Sequence, residues 1–382
     1  MRVLVAPDKF KGTMTAAEAA EAIAAGWRRS DPRAQVDEIP MADGGEGTLD
    51  ALVAALGGRR HLVKVSGPLG DPVGAEFAVA VAPEGPLGVV EMAGASGLQL
   101  LSEPRRKPKR TTTFGTGELI VAACRQGARR VLVCIGGSAT NDGGAGMAQA
   151  VGIRLLDGEG RDLRPGGAAL LDLATIDMRG LDPAVKRTEF VVATDVDNPL
   201  VGRHGASAVY GPQKGASPED VALLDRALRH FAAVVHRDLG LDVRDVPGAG
   251  AAGGLGGGLI AFLGAKLRPG VEVVMDAVRL RERLGDADLA VTGEGAFDAQ
   301  SLHGKVPAGV LRVAADLRIP AIILCGRADA TADEVRVFSL AERFGREAAM
   351  TRARELLSEL AAEVAAQGPS GWASPGSVSG EA

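Results

Sequence analysis

Residues 131–147 read V-L-V-C-I-G-G-S-A-T-N-D-G-G-A-G-M, and this run constrains the fold more than any other. A short apolar β-type stretch ends in a turn of Gly, Ser, Thr, Asn and Asp, and small residues suited to a helix start follow. A strand that feeds a polar glycine-rich turn lets backbone N–H groups close around an anion. The chain repeats the device several times, which points to an α/β protein that handles phosphate.

The 382 residues suffice for one large or two ordinary domains. Apolar residues make up 46% and aromatics only 3%, so the core must be assembled from Ala, Val, Leu and Ile. The 53 glycines are roughly double the usual share of about 7%, and they cluster beside predicted strands and helices. A net charge of −5 argues against a nucleic-acid partner, which needs a basic field, but not against a small anion held by local Lys and Arg. Cys124, Cys134 and Cys325 lack metal-type spacing and read as buried free thiols of a cytoplasmic protein. The N-terminal V-L-V-A is cut off by Pro7 and Asp8, too short for a targeting segment. The uncharged run at residues 246–265 approaches spanning length, but eight of its residues are Gly, so no membrane helix is expected.

A strand over residues 2–6 precedes a helix that Thr15 caps, with Glu18 completing a capping box. Ala20, Ile23, Ala24 and Trp27 share its inner face. A strand over 35–39 and a helix over 49–56 follow. Residues 61–92 instead show three alternating runs separated by Gly/Pro turns, an antiparallel meander. A helix at 113–126 leads into the strand at 131, and another strand occupies 189–194. Ser217, Pro218, Glu219 and Asp220 start a helix whose Val221, Leu224, Leu228, Phe231 and Val235 step by three and four. A further helix begins near Leu259. Strands at 289–292, 321–325 and 335–340 then alternate with helices at 307–317 and 346–366. These blocks predict an α/β domain of residues 1–60 and 285–366, to which 108–150 are a further candidate. A mixed α/β domain of residues 61–284 interrupts it, and residues 367–382 form a disordered tail. The crevice between two such domains is the default ligand site.

Polar loops recur at the strand ends. In A-P-D-K-F-K-G, Asp8, Lys9 and Lys11 stand where the first strand of an open sheet meets its crevice, and the lysines suit a phosphate or carboxylate. In A-D-G-G-E-G-T, Asp43 and Glu46 suit a hydroxyl or a metal, or else only cap the next helix; Mg²⁺ takes one or two carboxylates with phosphate oxygens and water. T-T-F-G-T-G-E reads as a plain helix start. In the run at 131–147, Gly136 and Gly137 offer N–H groups beside Ser138, Thr140, Asn141 and Asp142. Asp195 of A-T-D-V-D-N-P-L suits accepting a proton from a hydroxyl or binding Mg²⁺, and Lys214 of Y-G-P-Q-K-G-A adds a point charge. In T-G-E-G-A-F-D-A-Q-S-L-H-G-K, a strand end carries Glu294, Asp298, Gln300, Ser301 and Lys305 into a helix.

Other chemistries fare worse. The G-x-G-x-x-G at Gly248, Gly250 and Gly253 lacks the preceding strand that a dinucleotide fingerprint requires. The five histidines have no zinc spacing, His230 and His236 read as helix-surface residues, and no G-x-S-x-G elbow is present. H-G-K-V around His303 is not a P-loop, because Ala299 and Val306 replace its first Gly and its Ser/Thr.

Taken as an ordered set, these segments resemble the glycerate kinase type 1 family. The blocks are A-P-D-K-F-K-G, P-M-A-D-G-G-E-G-T, G-P-L-G-D-P-V, T-T-F-G-T-G-E-L-I, I-G-G-S-A-T-N-D-G-G-A-G-M, D-V-D-N-P-L, G-P-Q-K-G-A, P-G-A-G-A-A-G-G-L and T-G-E-G-A-F-D-A-Q-S. They fall in order over residues 1–365. Lys9, where members usually carry Ser, and Thr194, where Cys is frequent, depart from the pattern. The resemblance implies ATP- and Mg²⁺-dependent phosphorylation of D-glycerate, with 2-phosphoglycerate favoured over 3-phosphoglycerate as product. It also implies a flavodoxin/Rossmann-like three-layer α/β domain with an inserted second mixed α/β domain and the active site in the cleft.

On that reading Asp195 is the base or a metal carboxylate, and Lys9, Lys11 and Lys214 neutralise the γ-phosphate or the glycerate carboxylate. The loop from Gly136 to Asn141 holds phosphate or substrate, with Asp8, Glu46, Gln300 and Ser301 as further binding residues. Asp43, Glu294 and Asp298 are metal or hydroxyl ligands. A dinucleotide-dependent oxidoreductase and a non-catalytic sugar-acid binding protein are the rival classes. Assembly into a homo-oligomer is left open.

Overall fold

The computed structural model describes residues 1–302, 304–332 and 335–372; His303 and residues 373–382 of the expected tail lie outside them. Among the described residues the strands are β1 (Arg2–Pro7), β2 (Gln35–Glu38), β3 (Gly58–Ser66), β4 (Pro72–Ala82), β5 (Gly85–Glu91), β6 (Arg130–Cys134), β7 (Arg154–Leu156), β8 (Thr175–Asp177), β9 (Glu189–Ala193), β10 (Lys266–Arg268), β11 (Leu289–Phe297), β12 (Ala321–Ala328) and β13 (Arg336–Ser339). The chain divides into unit 1, made of Met1–Asp43, Asp50–Gly57 and Val271–Ala382, and unit 2, made of Gly44–Leu49 and Gly58–Gly270.

Gly44–Leu49, expected in the α/β domain, fall in unit 2, the open place of 108–150 is decided, and one further boundary moves. Residues 108–150 fall in unit 2, because β6 pairs with β5 and β9 there. Residues 271–284 fall in unit 1, where Val271 and Met275 press on the helix Val306–Leu317; a Cβ at Gly309 would lie 3.0 Å from Val271.

Unit 1 is built on a five-stranded sheet in the order β13-β12-β11-β1-β2, parallel throughout. Its inner strands β1, β11 and β12 are largely apolar runs, as strands covered on both faces must be, while the edge strands β2 and β13 are mixed. The helix Ala16–Ser30 starts on the expected capping box: Glu18 N–H donates to Thr15 Oγ1 at 3.2 Å and Thr15 N–H to Glu18 Oε2 at 2.8 Å. It buries Ala20, Ile23, Ala24 and Trp27. It crosses the helix Ala353–Trp372 so closely that a Cβ at Gly26 would lie 2.1 Å from the Ser358 carbonyl oxygen.

The sequence understates two strands and one helix here. Strand β11 runs five residues past 292, to Phe297, and β12 runs to Ala328. Gly293 reads as a turn residue, yet it lets the strands close: a Cβ there would lie 1.8 Å from the Leu324 carbonyl oxygen. Disorder from residue 367 is also corrected up to Trp372. That ring packs 5.5 Å from Trp27 and its Nε1–H donates to the Val364 carbonyl, which holds residues 367–372 against the unit. The single helix expected at 346–366 is two, Arg346–Thr351 and Ala353–Trp372.

Unit 2 carries a six-stranded mixed sheet in the order β10-β9-β6-β5-β4-β3. Strands β3, β4 and β5 form the expected antiparallel meander, while β5, β6, β9 and β10 run parallel. A small ribbon, β7–β8, lies apart from it. The helix Pro218–Leu239 begins on Ser217 and Asp220 and buries Leu224, Leu228, Phe231 and Val235. The helix expected from Leu259 instead spans Ala251–Leu263, broken by positive φ at Ala252, Gly253 and Gly254. Its glycines meet backbone: a Cβ at Gly253 would lie 2.0 Å from the Thr140 carbonyl oxygen, and one at Gly258 2.3 Å from that of Gly143. The glycines of this G-x-G-x-x-G are packing positions, Gly253 against the loop after β6 and Gly250 against the Pro199 carbonyl oxygen.

The three cysteines are buried free thiols, and no described helix is long and apolar enough to cross a membrane. Trp27→Ala removes the largest buried side chain of unit 1. It is expected to cost about 3–5 kcal/mol, read as a lower urea midpoint by circular dichroism.

Candidate active site

In unit 1, three acidic side chains gather at the carboxyl ends of adjacent parallel strands. Asp8 directly follows β1 and is 6% exposed; its backbone N–H donates to the Gly293 carbonyl at 2.8 Å, and its Oδ1 accepts from Lys9 N–H at 2.6 Å. Burial, then the neighbouring Asp43 carboxylate, pushes its carboxyl up to about 7, with Glu294 adding to the rise and Lys9 opposing it. Asp43 lies just beyond β2. Glu294 sits within β11, not beyond it, and burial likewise raises its carboxyl. Its Oε1 is buried without a hydrogen-bond partner, while Oε2 lies 3.9 Å from the Lys305 ammonium.

Asp298 lies beside this group, its Oδ1 3.9 Å from the same Lys305 ammonium. Asp298 closes a turn, accepting from Gln300 N–H at 2.8 Å and Ser301 N–H at 3.2 Å, and Ser301 is fully buried in that turn. Asp298 and Ser301 thus shape the turn that starts the next helix, while the Gln300 side chain is exposed. Lys9 is half-buried and Lys11 exposed.

In unit 2 the loop after β6 is built around Asp142. Its fully buried carboxylate accepts from Thr113 N–H at 2.8 Å, Thr113 Oγ1 at 3.0 Å, and the N–H groups of Gly144 and Gly146, both at 3.2 Å. It thereby joins the starts of two helices, Phe114–Arg125 and Ala145–Ala150. Burial pushes this carboxyl up and the four donors pull it back. Asp142 entered the sequence reading only as one polar member of the loop, and Thr113 carried no signal beyond a helix start.

Lys214 is only 1% exposed, and its ammonium donates to Ser138 Oγ and to the Thr140 carbonyl, both at 2.7 Å. Here its charge is directed inward, at the Ser138 and Thr140 oxygens. Burial pushes its amine down to about 7. Thr140 and Asn141 are also inside, Asn141 Nδ2 donating to Ser207 Oγ at 3.0 Å. What the loop presents outward is Gly136 and Gly137, both exposed, with φ of +72° at Gly137. Neither N–H donates to another group among the described residues.

Asp195 is exposed just past β9, its Oδ1 accepting from Gly270 N–H at 3.0 Å. Glu46 is exposed too. The N–H groups of Gly47 and Leu49 are held by Glu91 Oε1, at 3.0 and 2.8 Å, a residue without a sequence signal. His236 is exposed as expected, but His230 is half-buried, its Nε2 2.7 Å from the Leu173 carbonyl.

Mg²⁺ needs only one or two protein carboxylates beside phosphate oxygens and water. Among the described residues no three His, Cys, Asp or Glu close into a cage, yet the orphaned Glu294 Oε1 beside the crowded Asp8 and Asp43 offers oxygens of the kind such a cation takes.

The model of the glycerate kinase family matches residues 3–368. The chain belongs to that family. It is 52% identical over 324 residues to a glycerate kinase of Halalkalibacterium halodurans, covering 85% of each chain. It is 49% identical over 326 residues to the glycerate 2-kinase of Escherichia coli K12, again covering 85% of each. The crystal structure described as glycerate kinase 2 from Salmonella typhimurium LT2 superposes with a TM-score of 0.88 at 45% identity, covering 96% of this chain and 98% of that one. A family of kinases makes the chain an enzyme and the mixed α/β architecture a shared one.

Two outcomes follow for the loop. Asp142→Ala strands three buried N–H donors and is expected to cost about 3 kcal/mol in urea unfolding. Lys214 binds a proton less readily folded than unfolded, so its contribution to stability rises with pH from about 7 toward its unfolded value. Lys214→Met is expected to remove that rise, read as a smaller gain in urea midpoint between pH 7 and pH 9 than the parent shows.

Proposed function

We propose that this chain transfers the γ-phosphoryl group of ATP to a hydroxyl of D-glycerate, giving 2-phosphoglycerate, as a cytoplasmic member of type 1. The observation that carries the reading is the gathering of Asp8, Asp43 and Glu294 at adjacent parallel strand ends in a chain of this family. The strand order of unit 1, counted within the unit, is 2-1-3-4-5, the flavodoxin-like order, with unit 2 as an insertion. In that order β1 and β11 flank the switch point where ligands bind beyond the carboxyl ends. The buried free thiols support a reducing compartment. The product assignment rests on the 49% identity to a glycerate 2-kinase.

Phosphoryl transfer asks the protein for alignment, charge neutralisation and a group to orient the hydroxyl. Asp8 and Glu294 would hold Mg²⁺, with Asp43 beside them. Bound there, the ion supplies positive charge to the phosphate oxygens. Lys9 and Lys11 add cationic charge on the same unit, and exposed Gln300 is a further contact. On unit 2, Asp195 takes the proton of the glycerate hydroxyl as its oxygen attacks the γ-phosphorus and ADP leaves. The Gly270 N–H fixes the orientation of that carboxylate. The N–H groups of Gly136 and Gly137 hold the glycerate carboxylate, and Lys214 shapes their loop through Ser138 and Thr140. Glu46 is assigned to the glycerate side.

A coupled ADP-release assay with D-glycerate tests the reading, with phosphorus NMR of the product distinguishing the 2- from the 3-ester. ADP release that does not depend on glycerate contradicts it. Asp195→Ala is expected to lower kcat by roughly 10²–10⁴ with the fold intact by circular dichroism. Near-parental turnover would remove Asp195 from the mechanism.

A further inference from the structure

Unit 1 also contains a cavity of about 260 Å³ over the carboxyl-terminal parts of β11 and β12, of whose lining only Lys11 has a role above. Phe10, Ala349 and Met350 give it an apolar wall, and Lys11, Arg327 and Arg346 bring three cations to it. Arg327 is paired with Asp329 at 2.6 Å. Lys11 and Arg346 are exposed and make no hydrogen bond or ion pair among the described residues. The floor is set by backbone packing. A Cβ at Gly295 would lie 2.9 Å from the Lys11 nitrogen, and one at Gly326 2.4 Å from the Gly295 carbonyl oxygen. The loop carrying Phe10 and Lys11 is thus held down on the two strands.

The volume and the lining select a ligand class. Sites that enclose a whole drug-sized ligand run from about 300 to 1,000 Å³, so this one takes a ring-sized fragment of a larger molecule. A mostly apolar wall suits a flat heteroaromatic ring and does nothing for glycerate, which has no apolar face. Unpaired cations at the same cavity suit an anionic chain attached to that ring. Gly295 follows Glu294 in β11, so the proposed cation site lies along the strand that floors the cavity, with the Glu294 side chain on the opposite face.

We propose that this cavity receives the base of the nucleotide, with Lys11 and Arg346 drawing in its phosphates; the assignment rests on the ATP reading above. Arg346 and Met350 are exposed, so substitution there leaves the core intact. Calorimetric titration with ADP and with inorganic tripolyphosphate separates the two contributions. Arg346→Glu is expected to weaken both ligands about tenfold, and Met350→Asp to weaken ADP by a similar factor while leaving tripolyphosphate unchanged. The KM for glycerate stays at the parental value in both. If both variants bind ADP as the parent does, the base pocket is wrong while the kinase reading stands. If the parent neither binds ADP nor consumes ATP, the kinase reading falls first. If Met350→Asp weakens tripolyphosphate as much as ADP, the cavity holds phosphate and not a base, and the proposal is overturned.

Discussion

The carboxylate of Asp142 accepts four hydrogen bonds inside unit 2, and the loop after β6 takes its shape from them. A buried charge without partners is strongly unfavourable, so this one exists only because the starts of two helices point donors at it. Once it is in place, the turn has one conformation. The Lys214 ammonium then closes the other side, bonding Ser138 and Thr140. Two exposed glycine N–H groups are left facing out. The loop that presents them is thus held by the buried Asp142 and Lys214.

Glycine sets the second constraint. Gly253 and Gly258 bring the broken helix Ala251–Leu263 onto the backbone of residues 140–143, and Gly293, Gly295 and Gly326 do the same between strand ends in unit 1. Any side chain at these positions would force backbone apart. The high glycine content is therefore explained by close packing at the loops that position polar groups, with few aromatic side chains needed to fill space.

Much of the fold was legible because local signals agreed with tertiary packing. Thr15 with Glu18 and Ser217 with Asp220 fixed two helix starts, and the alternation at residues 61–92 fixed the meander. The errors share a cause. Gly293 and the glycines from 253 to 258 read as loop because a single sequence does not show which backbone lies within 3 Å of them. Trp372 was assigned to a disordered tail because its partner, Trp27, lies far away in sequence. Within the candidate site, residue types at strand ends were readable, but burial was not. Lys214, Thr140, Asn141 and Ser301 looked like ligand contacts and are inside. Glu294 and Asp298 looked like equals, but Glu294 is buried in a setting it shares with Asp8, whereas Asp298 is partly exposed.

The central claim is that the carboxylates at the ends of β1 and β11 receive the cation that accompanies the nucleotide. Titration of Mn²⁺ in the presence of ADP, followed by electron paramagnetic resonance, measures that directly. The account predicts that Glu294→Gln weakens Mn²⁺ binding about tenfold or more. It predicts that Asp298→Asn, whose carboxylate shares Lys305 with Glu294, weakens binding less than Glu294→Gln does. Equal binding by the parent and Glu294→Gln, or a loss confined to Asp298→Asn, would contradict it.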